Sequence, residues 1–143
     1  MKLTTLAVSA ITAALLMTVA HARDTRLKLP IKDAMETAEA KEKLGTEVKF
    51  VFGSAPANAK TFGTYTSNKK TNFANKSDKE GCEWAFLSAM IALKERAQAE
   101  GGNAVINIQS YYKKNEFSSA TEYECAAGAF VGGVALRGTV AKL

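Results

Sequence analysis

Two cysteines, Cys82 and Cys125, stand behind an N-terminal segment with the pattern of an export signal, and together these features frame what the chain can become. Met1-Lys2 is a short basic region, residues 3–20 are an apolar run, and Ala20-His21-Ala22 puts small residues at the first and third positions of a signal-peptidase site. Thr4, Thr5, Ser9, Thr12 and Thr18 interrupt the run, which suits a removable leader better than a span that stays in the bilayer. Cleavage after Ala22 is therefore expected, with residues 1–22 as leader and 23–143 as a single domain in the periplasm or secreted. Thiols pair in that oxidising compartment, and two cysteines allow one intramolecular bridge. The loop it closes, about 44 residues, corresponds to roughly 4 kcal/mol in the chain-entropy model, an upper figure because strain and residual denatured structure reduce it.

Losing the leader also removes chemistry. His21 is the only histidine, so the mature chain has no imidazole for a Ser-His-Asp triad, a Cys-His dyad or a histidine metal site. No catalytic residue, metal site or cofactor is expected. No cysteine lies near the cleavage site to accept a lipid, and no window beyond the leader is apolar enough to span a bilayer, so the protein is not expected to be integral to the membrane. The net charge is +5, one unit of which is Lys2. The 14 carboxylates fall mostly on helix surfaces beside lysines, the look of solvated faces; Glu122 and Glu124 share one strand face.

The mature chain reads as an α+β domain. Period-two apolar residues predict a strand over 25–31, with Leu27, Leu29 and Ile31 on one face, and another over 47–52, with Val48, Phe50 and Phe52 together. Between them, 33–44 has helix composition, starting at Asp33 and stopping at Gly45. Residues 53–79 lose periodicity and read as a long loop, strand-like at most around 60–65, carrying Lys60, Lys69, Lys70, Lys76 and Lys79 among isolated aromatics. Ser77 and Glu80 form a capping box for a long helix over about 78–100, closed by Gly101-Gly102. Cys82, Phe86, Ala89, Met90, Leu93 and Ala97 share one helical face; Trp84 and Ile91 point nearly the opposite way, as surface covered by the loop or as a partner or self-association patch.

A strand over 104–112 is expected to turn Ala104, Ile106, Ile108 and Tyr112 inward, followed by a polar hairpin connection over 113–121 and a strand over 122–127. In that strand Tyr123, Cys125 and Ala127 face the core, which lets Cys125 reach Cys82. The Gly-Ala-Val-rich end feeds a last strand over 134–140. The assembled expectation is a small, mostly antiparallel sheet with the long helix on one face and a short N-terminal helix.

The runs Gly81-Cys82-Glu83-Trp84-Ala85, Gly102-Asn103-Ala104-Val105-Ile106 and Tyr123-Glu124-Cys125-Ala126-Ala127-Gly128 resemble a group of small exported bacterial proteins that often carry the label "excinuclease ATPase subunit". The stretches 67–72 and 110–116 look like that group as well. In order, the helix, Gly-Asn-Ala-Val strand and cysteine strand are similar to the envelope sensor family RcsF and to the YbjQ-like heavy-metal-binding-domain family. The resemblance implies an α+β fold. RcsF-like sensors carry a lipid-anchored cysteine and two disulfides, whereas this chain allows one bridge. The ATPase label fails on residues: no Gly-x-x-x-x-Gly-Lys-Ser/Thr phosphate cradle is present, and the two cysteines are too few for that enzyme's zinc modules.

These readings point to a noncatalytic exported binding or envelope-associated module. Lys69 and Lys70, flanked by Tyr65 and Phe73, form the candidate ligand-binding loop. Its partner is expected to be anionic: a lipid headgroup, a cell-wall polymer or an acidic protein, with nucleic acid excluded by export. Alternatives are a small periplasmic hydrolase working through two glutamates in a cleft, or a self-assembling structural protein using Trp84, Ile91 and a sheet edge. The leader carries the first test. N-terminal sequencing of protein recovered from the producing cell should begin at Arg23, in the periplasm or medium; an intact Met1 in the cytoplasm would overturn the compartment argument.

Overall fold

The computed structural model describes residues 23–143, so the expected leader, residues 1–22, lies outside the described residues. In chain order the elements are β1 (Thr25–Pro30), α1 (Ile31–Met35), α2 (Ala38–Leu44), β2 (Lys49–Phe52), β3 (Lys60–Asn72), α3 (Asp78–Ala99), β4 (Ala104–Ser110), β5 (Glu122–Ala127) and β6 (Val131–Lys142). The α+β expectation holds: α3 lies across one face of a six-stranded sheet. All strand pairs are antiparallel except β2 with β4, which makes the sheet mixed.

The organising strand is β6. One edge pairs with β3 along its whole length, from Lys60↔Lys142 to Asn72↔Val131. Its other edge is shared, with β4 beside its C-terminal half and β5 meeting it at Ala126↔Gly133. Strand β1 closes the β5 side and β2 the β4 side. The apolar end of the chain is thus paired inside the sheet, as expected, over a longer strand than 134–140.

Helix α3 forms where its signals stand. The Ser77 hydroxyl accepts from Glu80 N at 3.1 Å, which is half of the capping box. At the other end Gly101, at φ +78°, and Gly102 donate to the carbonyls of Gln98 and Ala97, closing the helix in a Schellman turn. The six residues assigned to its core face are all buried. Cys82 is bonded to Cys125 of β5 with their Cα atoms 5.9 Å apart, so the staple joins helix and sheet through the core.

Four expectations are corrected. The 53–79 loop is largely the 13-residue strand β3. The helix over 33–44 is two short helices, because Thr37 interrupts it and caps α2 by accepting from Ala40 N; Pro30, not Asp33, precedes α1. The inward face of β4 switches at a bulge where Asn107 takes φ 48°. Val105 and Ile108 therefore face the main core, while Ala104 and Ile106 join Ala141 in a small cluster on the opposite face. Finally, 113–121 is not a hairpin: β5 lies between β1 and β6, and the connection touches β4 only at Ser110↔Phe117.

The buried bridge generates a stability prediction. Replacing Cys82 and Cys125 together by alanine should cost about 2–4 kcal/mol in chemical denaturation while preserving the far-ultraviolet spectrum. Two titratable thiols in unreduced protein would remove the staple.

Candidate functional site

The cation-bearing stretch singled out from sequence is held as an edge strand. Lys69 and Lys70 pair with Val134 and Gly133 of β6, and both side chains are exposed. Among the described residues neither forms an ion pair. Where α3 crosses this edge, two hollows meet. One, of about 400 Å³, is lined by Tyr65, Ser67, Lys69 and Arg96, and the other, of about 330 Å³, by Lys70, Ser88, Ile91 and Glu95. Lys69 and Ala92 line both, so they form one trough along the helix.

Arg96 fixes the far end of the trough. Its guanidinium lies 4.0 Å from the centre of the Tyr65 ring and pairs with Glu100 at 3.3 Å. Ser67, on the strand between Tyr65 and Lys69, is buried, and its hydroxyl has no hydrogen-bond partner among the described residues. Lys69 and Arg96 line the same hollow as Ser67, and two cations in one hollow suit an anionic oxygen ligand that accepts from both. Sequence reasoning found Tyr65, Lys69 and Lys70. It missed Arg96 and Ser67, because only the pairing of β3 brings that strand against the last turns of α3.

The other assigned residues go elsewhere. Phe73 is 3% exposed, with its ring against Gly81 and Gly132, so it belongs to the core and stacks on no ligand. Ile91 packs partly against the core and lines the trough. Trp84 is 41% exposed and lines a separate pocket of about 250 Å³ with Thr37, Glu39, Glu80, Glu83 and Leu87, between α2 and α3. Trp84 and Ile91 thus line different hollows on α3. Glu122 is exposed, whereas Glu124 is half-buried with its backbone N–H donating to Ser110.

Behind the Trp84 pocket lies an acidic cluster around one cation. Lys79 Nζ is 2.7 Å from Glu83 and 3.8 Å from Asp33, and the Glu83 contact holds its pKa above the usual ammonium value. The Tyr123 ring stacks tilted on Phe86 at 4.4 Å, but its buried hydroxyl has no partner. Burial first, then the Glu83 and Asp33 charges, push that phenol well above its ordinary pKa.

The described residues contain no cluster of three or more His, Cys, Asp or Glu side chains placed to hold a metal, and no helix among them is long and apolar enough to cross a membrane. Fold and site thus define a disulfide-stapled α+β domain with a cationic trough at a sheet edge. Compared with family models, curated proteins and solved structures, the chain matches none.

The orphaned phenol is testable. Tyr123→Phe keeps the ring packing and removes an unpaired buried hydroxyl, so urea denaturation should show a gain of about 1 kcal/mol. The parent should also lose stability as pH rises past about 10, because the unfolded phenol ionises while the folded one stays protonated. The variant should lack that component of the slope. A clear loss of stability in Tyr123→Phe would mean that the hydroxyl is satisfied by bound water.

Proposed function

We propose that this protein is a noncatalytic exported module that binds an anionic component of the cell envelope in the trough between β3 and α3. The observation that carries the reading is a trough in which Lys69 and Arg96 line one hollow and Lys69 and Lys70 the adjoining one, on an edge strand packed against the disulfide-bonded helix α3. Two exposed lysines without carboxylate partners attract anions over about 8 Å at physiological ionic strength. Arg96 adds a directional donor at a shorter range. The disulfide accords with export.

A second reading has one observation behind it. A carboxylate-dependent hydrolase needs two acids in a cleft, and the Trp84 pocket brings together Glu39, Glu80 and Glu83. Lys79 already pairs with Glu83, and the helix start keeps Glu80 on its first turn, which favours structural duties for both.

The trough reading predicts that Lys69→Glu/Lys70→Glu lowers binding to anionic vesicles or cell-wall fragments at least tenfold, at about 1 kcal/mol or more for each reversed charge. The melting temperature should change little, since both side chains are solvent-exposed. Parent binding should also weaken as salt is raised. If the double variant binds as the parent does, or the parent binds neither probe, the trough is a solvated edge and the reading fails.

A further inference from the structure

The chain reverses between β5 and β6 at 128–131 and leaves two neighbouring apolar side chains in solvent. Phe130 is 74% exposed and Val131 57%, the highest values among the large apolar residues described. The reversal is nevertheless held firmly. Phe130 O accepts from Phe73 N at 2.8 Å, and a Cβ at Gly128 would stand 2.2 Å from Val131 O. The adjacent Gly132 lies flat against the buried Phe73 ring. An aromatic presented this way needs little further ordering to bind something.

Its surroundings are cationic. Lys70 shares a hollow of about 200 Å³ with Val131, Gly132, Tyr112, Arg23 and one carboxylate, Asp24. Lys76 Nζ donates to the carbonyl of Asn72, the residue paired with Val131. Arg23 is paired with Asp78, and Lys113 with Asp24 at 3.7 Å. Lys69, Lys70, Lys76 and Lys114 have no carboxylate partner among the described residues.

An exposed aromatic and a β-branched residue on a fixed turn, with unpaired Lys70 and Lys76 beside it, match a bilayer interface that is apolar below and anionic above. We propose that this end of the molecule docks on a membrane bearing anionic phospholipid headgroups, with Phe130 and Val131 entering the interface while Lys69, Lys70 and Lys76 meet phosphates. This rests on the anionic-envelope reading above and narrows it to a lipid surface.

The test uses protein purified from the envelope fraction and co-sedimentation with vesicles of phosphatidylglycerol and phosphatidylcholine, against phosphatidylcholine alone and against soluble polyphosphate. Phe130→Ser/Val131→Ser should lower partitioning onto anionic vesicles by about tenfold or more, with polyphosphate binding and melting temperature unchanged. Phe130→Trp should retain or strengthen partitioning, and Lys69→Glu/Lys70→Glu should weaken binding to both anionic probes. If the serine variant partitions as the parent does, or the parent binds polyphosphate but not vesicles, the lipid proposal is overturned while the anionic reading stands. Binding to neither probe overturns both, and equal binding to both vesicle types removes the charge component.

Discussion

The Phe73 ring occupies space that Cβ atoms would need on two other elements. A Cβ at Gly81 in α3 would lie 2.7 Å from that ring, and one at Gly132 in β6 would lie 2.4 Å from it. Both distances are well inside van der Waals contact, so the strand end, the first turn of the long helix and the start of the central strand are locked by one aromatic and two missing side chains. Cys82 follows Gly81 directly, and its bond to Cys125 adds β5 to the same junction. The trough and the exposed turn both hang from this point. Phe73 N holds the Phe130 carbonyl, and Lys69 and Lys70 lie a few residues back along β3.

That arrangement gives the lysines two duties. An unpaired strand edge invites another chain to add to it, and charged side chains are a common defence. Lys69 and Lys70 serve that purpose on β3, whose outer edge pairs with no other strand among the described residues. The defence and the proposed anion site do not conflict, because both require the charges to stay in water and free of carboxylates. The self-assembly alternative is weakened by the same argument. Strand addition along β3 would bring the lysines of each copy close to another backbone edge, and Trp84 and Ile91 lie in separate hollows.

Where apolar period and capping agreed, the sequence was legible. The face of α3, its Ser77 start and glycine end, and the inward Tyr123-Cys125-Ala127 series of β5 all stand as read. Strand β3 was not legible as a whole because its residues are polar on both faces, with Ser67 the sole buried position of the strand. Its signal was compositional rather than periodic: Thr61, Thr64, Thr66 and Thr71 with Phe62 and Tyr65 are residues that suit a pleated surface. The β4 face inverted because one Asn in a left-handed conformation shifts the alternation by a residue, and a two-residue period carries no warning of that. At the site, Tyr65, Lys69 and Lys70 were visible as a local charge with an aromatic neighbour. Arg96 and Ser67 join them only through tertiary pairing, and the Ala-Phe-Val turn reads in one dimension as ordinary strand lead-in.

The strength of membrane docking follows from how few groups are free to contribute. One phenylalanine and one valine, partly inserted, supply about 2–3 kcal/mol together, since neither is fully removed from water. Three unpaired lysines at an anionic surface add about 1 kcal/mol each. The sum, about 5–6 kcal/mol, lies between the values that correspond to millimolar and micromolar dissociation constants. Either component alone falls below the millimolar figure, as with single lipid anchors that bind marginally until joined by a basic patch. A contact built this way is reversible, sensitive to salt through the lysines and to headgroup charge through the same residues. On the proposed reading it suits a protein that visits a membrane surface through the same lysines that line its trough.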